Sequence, residues 1–370
     1  MPPCRLRVAV AHDYLTQRGG AERVVLAMAR AFPDAPIYTS LYDPAGTYPE
    51  FGALDVRTSL LNRSATLRRH HRLALPLFAP SFSTQRVDAD VVFCSTSAWA
   101  HGIRTLGAKV VYCHTPARWL YGTRGYLTSH HWGPAATLAA AVSLGVLRPA
   151  LRCWDHRAAA AASRYLCNSR EVRDQVRLIY GIDAEVLPPP PGLTADGAED
   201  PLPGVAPGYH LVVSRMLPYK NVLPVIEAFE SLPGERLLVV GDGPDWPAAQ
   251  ALAGRNVSLL RRVTDDQLRW AYANAGCVVC CAWEDFGLVP VEAAQFGVPA
   301  LAMRWGGFLD TVVEDETGLF IDRPTCEAII EGVQRMTRRT WDPTCLRARA
   351  EGFAEPQFAR RLTQLAAEVT

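Results

Sequence analysis

The feature that most constrains the fold is an alternation of short apolar runs with helical patterns, which occurs twice along the chain. In the first half the apolar runs lie at residues 6–11, 35–42, 89–94, 109–113 and 164–169. Helical patterns stand between several of them, such as residues 20–32 and 169–181. This alternation is typical of a parallel sheet with helices on both of its faces.

A stretch rich in proline and glycine then interrupts the pattern. Residues 186–208 read VLPPPPGLTADGAEDPLPGVAPG and have no apolar period, which predicts a linker. After it the alternation restarts. The apolar runs lie at 209–214, 236–241, 257–260, 277–282 and 299–303, and helical patterns lie near 220–231, 264–274, 288–296 and 324–338.

The repeated pattern predicts an α/β protein with two Rossmann-like, doubly wound domains. A length of 370 residues suits two domains better than one. The predicted first domain is residues 1–187, the linker is 188–208 and the second domain is 209–354. The last helix, about 355–370, is expected to cross back to the first domain. Ligands of such sheets bind beyond the carboxyl ends of the strands, so two sheets in tandem predict a cleft between the domains.

The charge of the chain is divided between its halves. Residues 1–190 carry 22 Lys+Arg and 13 Asp+Glu, a net of +9, whereas residues 191–370 carry 16 and 24, a net of −8. The whole chain is only +1, less basic than is usual for a nucleic-acid-binding protein, so we predict no nucleic-acid partner. The opposite signs favour a basic face on the first domain, although ordinary surface variation explains the split equally well.

The sequence shows no signal peptide, and its longest apolar stretch, 132–147, is shorter than the roughly 20 residues that a membrane span requires. We predict a soluble, cytoplasmic chain whose ten cysteines are mostly free thiols. Cys277 and Cys280 have the spacing of metal ligands, but no second Cys or His pair follows. Their run is better interpreted as a buried strand, and no metal site is predicted.

Two loops of the second domain follow its first two predicted strands and open at one edge of the sheet. SRMLPYKN contains Arg215 and Lys220, and Lys220 is one of only two lysines among 38 basic residues. A lysine kept against such a bias suggests a need for a compact ammonium. The turn GDGP brings Gly241, Asp242 and Gly243 to the same edge.

A third loop, WEDFG, follows the fourth strand and supplies carboxylates. Glu284 lies in the loop and Glu292 in the predicted helix after it. The backbone N–H groups of Phe286, Gly287 and Leu288 lie at the start of that helix, where anions or hydroxyls bind. Because cations suit phosphates and carboxylates suit sugar hydroxyls, the combination predicts a nucleotide diphosphate-sugar as the ligand.

The first domain adds two weaker signals. Gly19 and Gly20 open a helix after the first strand, which is a possible cradle for a phosphate or sugar but equally a structural tight turn. His114 follows another strand, so it is predicted at the edge of the cleft, although a single histidine is often only structural.

These motifs together resemble a known family. SRMLPYKN, VVGDGP and WEDFGLVPVEAAQFGVPAL are similar to the retaining GT-B glycosyltransferases, and EDFGLVPVE matches their E-x7-E motif. HDYLTQRGGAERVV, FPDAPIYTSLYD, YCHTPARWLY and CNSREVRDQVRLIYG resemble a subgroup that includes bacterial mannosyltransferases of O-antigen and related glycan assembly. The resemblance runs from about residue 6 to residue 355.

The resemblance implies a role for each candidate residue. Arg215 and Lys220 would bind the donor diphosphate and neutralise the leaving nucleotide, and the turn at 241–243 would lie against the donor. Glu292 would take the ribose hydroxyls. Glu284 and the backbone of residues 286–288 would hold hydroxyls of the transferred sugar.

In the first domain, the same resemblance implies that Gly19 and Gly20 approach the donor phosphates. It also implies that His114 lies near the anomeric centre or the outer hydroxyls of the sugar.

The predicted function is transfer of a hexose, mannose from GDP-mannose, with retention of configuration and without a cofactor or metal. No side chain stands out as a nucleophile, which favours a front-face mechanism. The alternatives are a UDP-sugar donor, a nucleotide-sugar epimerase and a non-catalytic nucleotide-sugar-binding subunit. A metal-dependent transferase of another fold would need a D-x-D motif at the carboxyl end of a strand. Asp88-Ala-Asp90 lies at the start of one.

A basic segment of the first domain suggests an acceptor linked to lipid. On a helical wheel of residues 60–80, Arg68, Arg69 and Arg72 fall on one side and the apolar residues fall mainly on the other. Such a helix would suit the anionic inner face of a membrane, as a peripheral contact. An ordinary surface helix packed on the sheet explains the same pattern.

Overall fold

A computed structural model describes residues 6–122 and 134–370, in which strands and helices alternate in two separate units. The first unit comprises the chain up to Pro190 together with Glu355–Thr370, and the second is Pro191–Ala354. The predicted linker 188–208 therefore divides between them. Leu193 and Leu202 are buried in the core of the second unit.

The strands of the chain are β1 (Val8–His12), β2 (Ile37–Thr39), β3 (Val56–Thr58), β4 (Arg86–Val87), β5 (Val91–Thr96), β6 (Arg104–Thr105), β7 (Ala108–Cys113), β8 (Arg164–Cys167), β9 (Glu185–Val186), β10 (Tyr209–Val213), β11 (Leu237–Val240), β12 (Val257–Leu260), β13 (Ala275–Cys280), β14 (Ala300–Met303) and β15 (Gly318–Ile321).

The α-helices are α1 (Gly20–Ala31), α2 (Ala65–Arg69), α3 (Leu75–Thr84), α4 (Arg118–Tyr121), α5 (Pro134–Ala160), α6 (Arg170–Tyr180), α7 (Val222–Glu230), α8 (Trp246–Leu252), α9 (Asp265–Ala273), α10 (Leu288–Gln295), α11 (Phe308–Thr311), α12 (Cys326–Thr337), α13 (Pro343–Glu351) and α14 (Glu355–Glu368). Short 3₁₀ helices are Pro49–Ala53, Leu60–Arg63, His71–Ala74, Ala100–Gly102 and Pro218–Lys220.

The sheet of the first unit is parallel, in the order β3-β2-β1-β5-β7-β8-β9, and β4 pairs with β6 beside it. Both of its faces are covered, because successive residues of a strand enter different cores. Val10 and Phe93 pack with α1 and α14, whereas Ala11 and Cys94 belong to the core that contains residues of α3 and α6. Burial on both faces explains why these strands appear in the sequence as nearly continuous apolar runs.

The second unit contains a parallel sheet in the order β12-β11-β10-β13-β14-β15. Cys277 and Cys280 are buried in β13, which confirms the interpretation of their run as a strand. The helices predicted near 220–231, 264–274, 288–296 and 324–338 are confirmed as α7, α9, α10 and α12. The predicted fold class, α/β with two Rossmann-like sheets, is confirmed.

The C-terminal helix α14 packs on α1 in the first unit. Phe358, Leu362 and Leu365 are buried in the core that α1 also lines. At its start, the Arg30 guanidinium donates to both carboxylate oxygens of Glu355, at 2.5 and 2.7 Å. The last segment of the chain therefore stabilises the first unit rather than the second.

The prediction of one continuous amphipathic helix over residues 60–80 is wrong. The segment contains four short helices, with Ser59 capping the first and Ser64 capping α2. Pro76 lies in the first turn of α3, where a proline starts a helix readily. Arg68 and Arg69 lie on α2, whereas Arg72 lies on the next 3₁₀ turn, so a single helical wheel does not apply to them.

The segment 60–80 presents both basic and apolar side chains at its surface. The Arg68 guanidinium bonds back to the carbonyl of Asn62, and Arg69 is exposed. The side chain of Arg72 lies outside the described residues. Leu60, Leu73 and Leu77 are 75%, 49% and 43% exposed.

Within residues 6–122 and 134–370, no helix combines the length and the apolar character that crossing a membrane requires. The apolar stretch 132–147 predicted to be too short for a span lies mostly in α5, and its first two residues lie outside the described part.

Candidate functional site

The strand order of the second sheet determines where its loops meet. β10 lies between β11 and β13, so successive connections run in opposite directions from it. In doubly wound sheets such a reversal leaves a crevice at the carboxyl ends of the two central strands, where ligands bind. The loop after β10 holds Arg215 and Lys220, and the loop after β13 holds Glu284. The fold therefore brings these two predicted loops together.

Three contacts join the two loops. The backbone N–H of Trp283 donates to the Tyr219 carbonyl at 3.2 Å. The side-chain amide of Asn221, a residue in the left-handed region at φ 53°, donates to the Cys281 carbonyl at 2.7 Å. The Lys220 ammonium contacts a carboxylate oxygen of Glu284. The spacing of the two loops is therefore fixed by the protein itself.

The Lys220–Glu284 ion pair lines a small cavity between the loops. Ser214, Gly287 and Phe308 also line it. The Lys220 side chain is 9% exposed and that of Glu284 is 30% exposed, so the ammonium is the more desolvated partner. A cation and a carboxylate held side by side at strand ends can bind a phosphate oxygen and a hydroxyl group of one ligand.

Arg215 is exposed beside this cavity. Its guanidinium lies 3.5 Å from the Tyr219 hydroxyl, which is a long contact. The structure thus brings Lys220 and Glu284 into direct contact, while Arg215 stands on the same loop without joining their pair.

The glycines of the 241–243 turn are required by close backbone packing. A Cβ on Gly241 would lie 1.8 Å from the Ser214 carbonyl oxygen, and one on Gly243 would lie 2.3 Å from that of Met216. Asp242 between them forms an ion pair with Arg261 at 3.1 Å. The turn therefore packs directly against the loop that carries Arg215.

The start of α10 also depends on a glycine. Gly287, at φ +83°, is the residue before the helix, and a Cβ there would lie 2.5 Å from the Phe308 ring. Phe286 is 5% exposed and packs with Phe353. Leu288 begins the helix itself.

Sequence reasoning missed a loop that encloses this turn. Gly306 and Gly307 follow β14, and a Cβ on either would lie within 2.2 Å of the backbone at Glu284 or Phe286. The N–H of Gly307 donates to the Glu284 carbonyl at 3.1 Å. The signal was available, because RWGGF follows an apolar run just as WEDFG does.

Glu292 lies deeper than Glu284. It is 9% exposed, its Oε1 accepts from the N–H of Gly192 at 3.1 Å, and its Oε2 accepts from the Tyr272 hydroxyl at 2.8 Å. Gly192 belongs to the proline-rich stretch after β9. Glu292 therefore anchors that stretch to α10, a contact that the sequence did not reveal.

The sheet of the first unit has its own reversal point, at β1 between β2 and β5. Gly19 and Gly20 lie at the start of α1, after the loop that follows β1. Glu22, in the first turn of α1, is 1% exposed and accepts from the Gln17 amide at 3.0 Å. A Cβ on Gly19 would lie 2.6 Å from Oε2 of Glu22, so the glycine leaves room for a buried carboxylate.

His114 follows β7 at the same edge and is 9% exposed. Its Nε2 lies 2.8 Å from the Ser95 hydroxyl, which in turn lies 3.1 Å from Nδ1 of His12. Burial, together with the neighbouring His12, lowers the pKa of His114 to about 3, so its ring is neutral at ordinary pH. Burial alone would lower the pKa of His12, but the nearby Glu22 and Asp13 carboxylates outweigh it and raise that pKa.

The D-x-D alternative finds no support in the geometry. Asp88 and Asp90 precede β5, and both pair with Arg7, at 3.1 and 2.9 Å. They lie at the amino end of the strand, away from the edge where His114 and Ser95 meet.

Two family models match the chain. Residues 18–190 match Glycosyltransferase Family 4, and residues 204–352 match Glycosyl transferases group 1. Together the matches cover most of both units.

Curated relatives are glycosyltransferases. A D-inositol 3-phosphate glycosyltransferase of Mycobacteroides abscessus is 31% identical over 55% of this chain and 53% of its own length. That of Rhodococcus opacus is 30% identical over 64% of this chain and 62% of its own length. A GDP-mannose-dependent alpha-(1-6)-phosphatidylinositol monomannoside mannosyltransferase of Mycolicibacterium smegmatis is 29% identical over 52% of this chain and 56% of its own length. The matches thus span between half and two thirds of these relatives.

Solved structures match over nearly the whole chain. HepE of Anabaena in complex with UDP has a TM-score of 0.69 at 17% identity and covers 98% of this chain and 100% of its own. Sucrose-phosphate synthase of Thermosynechococcus elongatus has a TM-score of 0.68 at 15% identity and covers 98% of both chains. At these identities the likeness concerns the fold. Each unit thus matches a glycosyltransferase family model, and the solved structures support the predicted GT-B fold.

Proposed function

We propose that the chain is a retaining hexosyltransferase that takes mannose from GDP-mannose and passes it to a glycan or lipid-linked acceptor. The observation that carries the proposal is the Lys220–Glu284 pair at the reversal point of the second sheet, inside residues that match a glycosyltransferase family. A cation and a carboxylate at that place suit the diphosphate and the sugar of one donor.

Lys220 and Arg215 would neutralise the charge that develops on the departing nucleoside diphosphate. Glu284 holds Lys220 at the cavity. When a phosphate takes over the ammonium, the Glu284 carboxylate becomes available to accept from a sugar hydroxyl. A cation already in position reduces the reorganisation needed in the transition state. The departing phosphate would itself accept the proton of the attacking hydroxyl on the same face, which retains configuration without a protein nucleophile.

Glu292, on the helix that follows the Glu284 loop, would accept from the ribose hydroxyls. The glycines of 241–243 and 287 would allow the donor to approach the backbone, and Gly19, Gly20 and His114 would contribute from the first unit.

A UDP-sugar donor is the second candidate, because HepE of Anabaena, which shares the fold, has been solved with UDP. GDP-mannose is favoured by the named donor of the Mycolicibacterium smegmatis relative. Purified protein should be assayed for nucleoside diphosphate release with GDP-mannose, UDP-glucose and UDP-galactose, each with and without a glycan acceptor. We expect release from GDP-mannose that depends on the acceptor. Release only from a UDP-sugar would show that the donor is a UDP-sugar instead of GDP-mannose. Release of the nucleotide without any acceptor would favour an epimerase.

We also propose that the protein works at the cytoplasmic face of a membrane, with the segment 60–80 as its contact. Exposed Leu60, Leu73 and Leu77 lie in the same segment as Arg63 and Arg69, which are also exposed. Apolar and basic side chains displayed together suit the interface of an anionic bilayer.

A further inference from the structure

Four buried side chains form a continuous row at the carboxyl edge of the first sheet. They are Glu22 on α1, His12 at the end of β1, Ser95 in β5 and His114 after β7, and they are 1%, 3%, 0% and 9% exposed. Polar groups this deeply buried must satisfy one another, so the direction of each hydrogen bond can be worked out from its neighbours.

The donor and the acceptor of the first hydrogen bond in the row are determined at the His12 ring. Its Nδ1 lies 3.0 Å from the backbone carbonyl oxygen of Ser95, which can only accept. Nδ1 therefore carries a hydrogen whether the ring is neutral or charged. On its other side, Nε2 of His12 faces a Glu22 carboxylate oxygen at 3.9 Å, an ion-pair distance that holds the ring in place.

The hydrogen on Nδ1 of His12 determines which way the hydrogen bonds of the Ser95 hydroxyl run. Its oxygen lies 3.1 Å from Nδ1 of His12, which already carries a hydrogen, so Ser95 can only accept there. Its own hydrogen must then go to the other neighbour, Nε2 of His114, at 2.8 Å. Nε2 of His114 accepts this hydrogen bond, and the hydrogen of the neutral imidazole lies on Nδ1.

Nδ1 of His114 is left for something other than the protein. The Asn168 amide donates to the His114 carbonyl at 2.9 Å, and the Tyr112 ring packs at 5.2 Å, edge on. Among the described residues, none forms a hydrogen bond with Nδ1. Asp13, the other charged group nearby, is used by Thr96 and by backbone N–H groups after β5.

We propose that Ser95, aligned by His12 and Glu22, is a positioning residue that fixes His114 in the Nδ1–H tautomer, so that a neutral N–H donor faces a ligand oxygen. The ligand oxygen, a hydroxyl or phosphate oxygen of the nucleotide sugar, rests on the proposed function. The tautomer does not, because it follows from the contacts inside the first unit. A neutral donor keeps its hydrogen bond over the working pH range and offers no proton to be lost or gained.

The test is the tautomer of His114 in the full chain. Protein labelled with ¹⁵N-histidine gives separate Nδ1 and Nε2 resonances, and those of His114 are the ones lost in His114→Asn or His114→Gln. We expect a protonated Nδ1, an unprotonated Nε2 and no titration between pH 5.5 and 8 in the unaltered chain. An Nε2–H tautomer, or a His114 that titrates in this range, would overturn the proposal.

The variant Ser95→Ala removes the hydroxyl that selects the tautomer. We expect its His114 to change to Nε2–H or a mixture and the transfer rate to fall roughly three- to tenfold, as for loss of one neutral hydrogen bond. Ser97→Ala, a hydroxyl removed from the following loop, is the matched control and should leave both unchanged. A tautomer unaltered in Ser95→Ala would refute the positioning role. Correct tautomers in a chain without transferase activity would refute only the proposed function.

Discussion

The Lys220–Glu284 pair allows a sharp test of the proposed phosphate-binding role. Lys220→Met removes the ammonium but keeps the apolar stem of the side chain. If Lys220 stabilises the leaving diphosphate, the transfer rate should fall about 100- to 1000-fold, the effect of removing one preorganised donor from a transition state. Lys220→Arg should restore little of it, because a planar fork replaces a point charge.

The stability of the variant should change far less than its activity. Breaking a fully buried ion pair by removing one partner costs about 3–5 kcal/mol, whereas exposed pairs are worth about 0–1 kcal/mol. Glu284 is 30% exposed, so water can solvate the carboxylate that Lys220→Met leaves behind. We expect a loss of roughly 1–2 kcal/mol, or about 2–8 °C in Tm, which leaves the domain folded.

A double-mutant cycle separates the catalytic role from the structural one. Transfer is measured as nucleoside diphosphate release for the unaltered chain, Lys220→Met, Glu284→Gln and the double variant. If Lys220 acts on the donor, Lys220→Met keeps its full effect when Glu284 is already Gln. If Lys220 only holds Glu284, it has almost no further effect there, and that result would refute the phosphate assignment. Arg304→Met, an exposed cation paired with Glu314 in the same unit, is the control and should leave the rate unchanged.

Four further outcomes are expected. Glu292→Gln should weaken binding of free nucleoside diphosphate by about 1.5–3 kcal/mol in calorimetry, whereas Glu284→Gln should spare it, and equal effects would contradict the division of roles. Transfer should persist in EDTA, because Lys220 and helix N-termini neutralise the leaving group, and activity restored only by Mn²⁺ or Mg²⁺ would contradict this. The chain should sediment with anionic but not neutral vesicles at low salt, and Arg63→Glu with Arg69→Glu should release it, while no sedimentation would favour a soluble acceptor. In the unfolded chain His114 becomes protonated below about pH 6.5, whereas in the folded chain the His114 pKa of about 3 keeps the ring neutral. The free energy of unfolding should therefore fall by up to about 1.4 kcal/mol for each unit by which the pH is lowered below 6.5. In urea titrations, His114→Asn should remove this contribution to the pH dependence.

The fold could be predicted because its strands are buried on both faces. In a parallel sheet covered by helices, runs such as 91–96 and 237–240 must be apolar throughout, and the sequence displays that requirement directly. Short edge strands such as β3 and β9 escaped prediction because they have few buried residues to reveal them. The segment 60–80 was predicted incorrectly because capping serines interrupt an otherwise helical spacing.

The candidate site was predictable only as far as strand ends are predictable. Arg215, Lys220 and Glu284 follow apolar runs, so their edge of the sheet could be inferred without the strand order. Contacts that depend on the strand order could not be inferred. Ser95 lies 83 residues after His12, and it reaches both His12 and His114 only because β5 lies between β1 and β7.

Gly19 and Gly20 show why a motif needs its buried neighbours before its chemistry can be assigned. On the sequence alone, a glycine pair at a helix start suggests room for a phosphate. The structure adds Glu22, whose Oε2 is buried without a hydrogen-bond partner among the described side chains and lies 2.6 Å from where a Gly19 Cβ would be. A carboxylate at that distance opposes a phosphate held directly against Gly19. A hydroxyl that donates to Glu22 meets no such opposition, so the same turn is better suited to hold a sugar than to hold the phosphates of its donor.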